Sequence, residues 1–231
     1  MQSKDFLIIY SYWIVNITMT LQGMSYLGKM KIVHRDLALR NLLLSGTRTV
    51  KISDLGLAVV SSQPSQYWSQ AERPVAFRHS ALESLLSGLY SPQSDVWAFG
   101  VTLWEMFSLA SEPHPEVGGP EQLVRKLQTG GRLPHCPLAP LSLQAIMESC
   151  WAEQPALRPS FMELTNLIKP LLQLQSPPPH YSVPRSTPVV KSRSFYWTNY
   201  KVMQGQPALC SEAGIVFSSD QTGGSKHGLV G

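Results

Sequence analysis

In the stretch "VHRDLALRN", Val33 to Asn41, a carboxylate, Asp36, stands five residues ahead of a carboxamide, Asn41. His34 and Arg35 come just before the pair and Arg40 lies inside it. Eighteen residues after Asp36 a second carboxylate, Asp54, opens the tripeptide Asp54-Leu55-Gly56. Carboxylate, carboxamide and guanidinium groups at this spacing raise the question of phosphoryl transfer. That chemistry asks a protein for positioned groups and cancelled charge more than for covalent participation.

Such groups work only when regular elements hold them. Ile14, Ile17, Leu21, Met24 and Leu27 recur as a helical stripe, and Gly28 offers a helix stop. "LLL" (42–44) and "TVKIS" (49–53) flank Ser45-Gly46 and read as two short strands joined by a turn. From Asp54 to Glu83 no period is sustained, and a long mobile loop is expected. "SDVWAFGVTLWEMFSLA" (94–110) carries apolar residues on all sides, which predicts a helix in the middle of a helical domain. Further helices are predicted at "EQLVRKLQ" (121–128), "SLQAIMESCW" (142–151) and "SFMELTNLI" (160–168). The last opens with Ser160 and Glu163 at capping-box spacing, and Pro170 should kink or end it.

Bulk properties exclude several classes. The 231 residues are 43% hydrophobic and 15% charged, enough for a real core. Through Gln175 the chain has 14 Lys and Arg against 13 Asp and Glu. A nearly neutral body gives no nucleic-acid footprint, which needs a concentrated basic face. Three cysteines without CxxC spacing suggest neither a disulfide framework nor a zinc site, and a reducing compartment is the simplest setting. "FLIIYSYWIVNITMTL" (6–21) is apolar enough to raise a membrane question, but Ser11, Asn16, Thr18 and Thr20 interrupt it. Asn16-Ile17-Thr18 fits a glycosylation acceptor and is read as a chance match inside a helix. After Gln175 a Pro/Ser/Gly-rich composition without period predicts disorder, so a domain boundary is expected near 175.

The opening stretch and its surroundings together resemble the C-terminal lobe of a protein kinase. His34-Arg35-Asp36-(x4)-Asn41 is similar to the catalytic loop, Asp54-Leu55-Gly56 to the Asp-Phe-Gly turn, and Glu83 in "ALE" to Ala-Pro-Glu. "SDVWAFG" and "CWAEQPALRPSF" follow in the family's order. Five motifs in one order are specific where any single one is weak. Ala38 and Arg40 in "HRDLALRN" look like the tyrosine-kinase form. The resemblance implies a mainly α (α+β) fold with short β-hairpins, an unassigned segment at 1–13, the lobe at 14–175, and a tail at 176–231.

It also implies roles. Asp36 would accept the tyrosine hydroxyl proton and Arg40 would help place the phenol. Asn41 and Asp54 are hard oxygen ligands suited to the Mg²⁺ of Mg-ATP. Leu43 would lie under the adenine ring. Arg35 would hold a phosphate on the activation loop, where Tyr67 stands at an autophosphorylation position. His34 would be structural, Asp95 would accept hydrogen bonds from the catalytic-loop backbone, and Glu83 with Arg158 would form a buried ion pair. Trp97, Trp104 and Trp151 are read as core, and His114 and His135 as surface residues. The implied partners are a tyrosine-bearing protein substrate and a kinase or adaptor partner. The implied location is the cytoplasm, or the cytoplasmic side of a membrane in a parent receptor.

The departures matter as much. No G-x-G-x-x-G occurs, and the lysines ahead of His34 are Lys4, Lys29 and Lys31, with no Glu until Glu72. The N-terminal lobe, which closes over ATP phosphates in the family, is therefore expected to be absent and the 231 residues inactive. In "AFRHSALE" Ala76 stands where the family usually has Pro, His79-Ser80 where tyrosine kinases usually have Trp-Met, and Leu82 where it has Pro. An alternative expectation is a non-catalytic interaction module that competes with a full-length kinase. Tyr181, Tyr196 and Tyr200 would make the tail a docking peptide in a weaker reading.

Overall fold

The computed structural model describes residues 3–45, 49–60, 67–68 and 77–173. The expected disordered tail and its tyrosines lie outside them. Helix α1, Ser3–Lys29, carries the apolar stripe: Ile14, Ile17, Leu21, Met24 and Leu27 are all fully buried. The helix starts well before residue 14, because neither Gly nor Pro interrupts 3–22. It also runs through Gly28 to Lys29; a side chain at 28 would meet nothing, so no tight turn or close approach requires the glycine. The chain reverses instead after Met30, with Lys31 at φ 57. Asn16 is buried, which removes it as a glycan acceptor. Among the described residues no helix is long and apolar enough to cross a membrane.

Among the described residues the strands form three two-stranded antiparallel sheets. Strands β2, Leu42–Leu44, and β3, Val50–Ile52, pair Leu42 with Ile52 and Leu43 with Lys51. This is a local hairpin, as the turn residues predict. The other two sheets are not hairpins. Strand β1, Ile32–Val33, pairs with β4, Val59–Val60. Strand β5, Tyr67–Trp68, pairs with β6, Leu89–Tyr90. The expectation of one long loop from 54 to 83 is corrected accordingly. Besides β4 and β5, the described parts of that segment hold 3₁₀ turns at Leu55–Leu57 and Phe77–His79, and helix α2, Leu82–Ser87, begins inside it. Two-residue strands whose partners lie far along the chain have no local period to read. Gly88, at φ 66, closes α2 in the left-handed conformation.

Helix α3, Pro92–Phe107, is the central post. Ser91 and Ser94 cap its start reciprocally, Pro92 occupies the first turn, and side chains around its whole circumference are buried. Gly100 is where it meets helix α5, Leu141–Cys150. A Cβ there would stand 2.6 Å from Trp151 Nε1 and 2.7 Å from Cys150 Cβ, so only glycine permits this approach. Trp97, Trp104 and Trp151 are all core. Trp13 of α1 meets Phe107 of α3 edge to face, ring centres 4.7 Å apart.

Helix α4, Pro120–Gln128, lies below α2. Helix α6, Phe161–Gln173, packs along α1 with Leu164 and Ile168 fully buried. Its capping box is present: Ser160 N donates to Glu163 Oε2 at 2.7 Å, and Glu163 N to Ser160 Oγ at 3.2 Å. Pro170 does not end α6. The carbonyl it leaves without an amide belongs to exposed Asn166, which water can satisfy while α1 holds the helix in place.

Candidate active site

The stretch 34–41 leaves β1 and turns back into β2, suspended over the start of α3. Asp95, in the first turn of α3, accepts from two consecutive backbone amides, His34 N at 2.7 Å and Arg35 N at 2.9 Å. Convergence of adjacent N–H groups on one carboxylate bends the chain sharply. Arg35 accordingly sits at φ 69, a conformation costing a non-glycine residue of order 1 kcal/mol or more. Asp95 is almost completely buried. That burial pushes its carboxyl up, opposed by the His34 and Arg35 groups it contacts.

His34 has no exposure, and its neighbours fix its tautomer. Asp36 N donates to Nδ1 at 3.2 Å, so the proton resides on Nε2, which faces Ser53 O at 3.2 Å. Thus His34 braces the loop against the end of β3.

Asp36 is gripped from both sides. Arg40 Nη2 donates to Oδ1, and Asn41 Nδ2 donates to Oδ2 at 2.9 Å and to the Asp36 carbonyl at 2.7 Å. The side chain keeps a small opening to solvent, 11% of its surface. Asn41 is reached in turn by Ser53, whose N and Oγ donate to the Asn41 carbonyl at 2.9 and 3.0 Å. Asp54 follows directly, exposed, at φ 61 and ψ 60. A continuous hydrogen-bonded path therefore joins Asp36, Asn41 and the Asp54 turn, although eighteen residues separate the carboxylates.

The donor set can be tested against Mg²⁺. Asn41 makes these bonds through its amide nitrogen, which leaves its oxygen as the atom a cation would take. Asp54 adds an exposed carboxylate. Two hard oxygens are too few for an all-protein cage, and among the described residues no cluster of three or more His, Cys, Asp or Glu could form one. Mg²⁺ held by one or two side-chain oxygens with phosphates and water completing its shell is the arrangement these residues fit.

Arg35 Nη1 donates to Leu57 O at 3.2 Å, and its guanidinium lies 4.4 Å over the Tyr90 ring. Leu43 is half-buried in β2. Tyr67 is in β5, opposite Tyr90 in register, and its side chain lies outside the described atoms. Glu83 and Arg158 meet as a bidentate pair, Nη1–Oε1 2.6 Å and Nη2–Oε2 2.9 Å.

Two features were not anticipated. Glu105, in α3, accepts through Oε2 from Leu39 N at 3.0 Å and pairs with His79 Nε2 at 2.9 Å. Its signal was available: a carboxylate inside the apolar run "TLWEMF" is seldom buried without a partner. His114, expected at the surface, is buried. Lys126 Nζ stands 3.0 Å from its Nδ1, and burial together with that cation lowers its pKa to about 4.

Residues 10–168 match the family described as protein tyrosine and serine/threonine kinase. The chain belongs to that family. Among its relatives are proteins named as tyrosine-protein kinases. Mouse vascular endothelial growth factor receptor 3 is 39% identical over 167 residues, which is 72% of this chain and 12% of the receptor. Human non-receptor tyrosine-protein kinase TNK1 is 45% identical over 148 residues, 64% of this chain and 22% of the relative. Mouse vascular endothelial growth factor receptor 2 is 35% identical over an alignment of 237 residues, 98% of this chain and 17% of the receptor. The kinase chain thus spans between 12 and 22% of the length of these curated relatives.

Proposed function

We propose that this chain is the C-terminal lobe of a protein tyrosine kinase, carrying the acceptor-side half of a site that transfers the γ-phosphoryl group of Mg-ATP to protein tyrosine. The observation that carries this reading is the grip on Asp36. Its two oxygens are engaged by Arg40 and Asn41, and Asn41 is stitched through Ser53 to the Asp54 turn. A carboxylate so fixed is a pre-set acceptor for a hydroxyl proton and needs little reorganisation during the reaction. Arg40, with 36% of its side chain exposed, reaches solvent beside it and can meet the incoming phenol. Asn41 and Asp54 would hold Mg²⁺, whose contribution when bound is to offset charge on the nucleotide phosphates. Leu43 supplies apolar surface for the adenine. Arg35 meets the activation segment at the Leu57 carbonyl, and the Tyr90 ring under its guanidinium is paired in register with Tyr67, which supports a role in anchoring a phosphate there. Tyr67 is the proposed acceptor of that phosphate.

These 231 residues are proposed to turn over negligibly by themselves. Their sequence holds no glycine-rich phosphate loop, and no strand lysine with its glutamate partner precedes His34. Those groups supply part of the nucleotide affinity and charge compensation in the family. The working site is proposed to face the cytoplasm, with relatives both among receptors and among non-receptor kinases.

The site reading is tested on the isotope-labelled full chain with Mn²⁺ and ATP. Paramagnetic broadening is expected at the Asn41 side-chain amide and the Leu55 and Gly56 amides, and is lost in Asp54→Ala. Broadening that is absent there, or that survives Asp54→Ala unchanged, overturns it. Incubation with labelled ATP and a tyrosine polymer tests the inactivity: turnover that disappears in Asp54→Ala refutes it.

A further inference from the structure

The segment preceding Glu83 and the stretch holding Asp36 are separated by some forty residues, yet one carboxylate oxygen touches both. Glu105 Oε2 accepts from the backbone amide of Leu39 at 3.0 Å and from His79 Nε2 at 2.9 Å. Glu105 keeps 14% of its side-chain surface exposed and His79 only 8%, so neither contact is readily replaced by water. Leu39 opens the 3₁₀ turn Leu39–Asn41, which carries Arg40 and Asn41 to Asp36. His79 ends the 3₁₀ turn Phe77–His79, immediately ahead of Ser80, Ala81 and α2.

We propose that Glu105 and His79 are positioning residues: the shared oxygen couples the conformation of the acceptor-side segment at 77–81 to the placement of Arg40 and Asn41 around Asp36. The proposal rests on the kinase reading for its consequence, but not for its geometry. An acceptor oxygen that serves two donors holds each in a direction the other helps to fix. Losing the imidazole frees the carboxylate to rotate, and the Leu39 amide is then held less tightly.

The test reads backbone amides in the full chain without nucleotide. Removing the donor in His79→Leu is expected to speed hydrogen exchange at Leu39 about fivefold, the worth of one net hydrogen bond. His79→Gln retains an N–H and is expected to stay within about twofold of the parent. Amides in the middle of α3 should not change in either variant. Unaltered exchange at Leu39 in His79→Leu, or equal acceleration in both variants, overturns the proposal. Should His79→Leu fail to fold, Glu105→Gln decides: a neutral amide oxygen accepts more weakly than a carboxylate, so exchange at Leu39 must speed by at least about twofold, and unaltered exchange overturns the coupling. Failure here leaves the Mn²⁺-nucleotide experiment untouched, and failure of that experiment leaves the amide coupling standing.

Discussion

Replacing Glu83 by alanine takes away the carboxylate to which Arg158 donates twice, at 2.6 and 2.9 Å, while the Arg158 side chain has no exposed surface. The guanidinium cannot reach water, so its charge stays buried against what remains. That remainder is three carbonyls, Ala152 at 2.9 Å, Gln93 at 3.0 Å and Glu153 at 3.3 Å, and the face of Trp97 at 5.0 Å. Stranding one member of a buried pair costs about 3–5 kcal/mol. Because the carbonyls persist, the lower end applies, about 3 kcal/mol, or roughly 6–12 °C in Tm for a domain of this size. Glu83→Gln keeps one oxygen acceptor and should cost about half as much. Arg158→Met in the Glu83→Ala background should restore part of the loss, because no charge is then buried alone. Urea unfolding followed by tryptophan fluorescence and far-ultraviolet circular dichroism measures all three. A Glu83→Ala cost below about 1 kcal/mol at unchanged m-value, or a double variant less stable than Glu83→Ala, refutes the reasoning.

Three further outcomes are expected. His114 has its pKa lowered from 6.5 to about 4 in the folded chain, so between those values the unfolded chain binds the extra proton. Stability should therefore fall as pH drops from about 6.5 to 4, by at most about 3 kcal/mol, and unfolding free energies across that range should lose this slope in His114→Gln. Gly100→Ala drives a methyl into Trp151 and Cys150 and should cost at least 1–3 kcal/mol by chemical denaturation, with a shifted Trp151 resonance as its local signature. Ser160→Ala removes the α6 cap and should cost about 1 kcal/mol, read as a lowered urea midpoint with the Asp36 site unperturbed.

Motifs and helices were legible in the sequence because their signals are local. The stripe from Ile14 to Leu27, the all-round apolar pattern of 94–110 and the Ser160–Glu163 box depend on neighbours three or four residues apart; the structure shows the stripe and the box, and a helix over Pro92–Phe107 that stops three residues short of the pattern's end. The order His34-Arg35-Asp36, Asn41, Asp54 likewise marks the family in the sequence alone. Tertiary structure alone decided the rest. It paired β1 with β4 and β5 with β6, set Arg35 in a left-handed bend over Asp95, buried His114 beside Lys126, and brought His79 and Leu39 to one oxygen of Glu105. Those contacts join groups distant along the chain, and two-residue strands and single side chains carry no period that would reveal a partner. The energy that selects them comes from burying polar groups that must then find one another, and that requirement exists only once the helices have closed around α3.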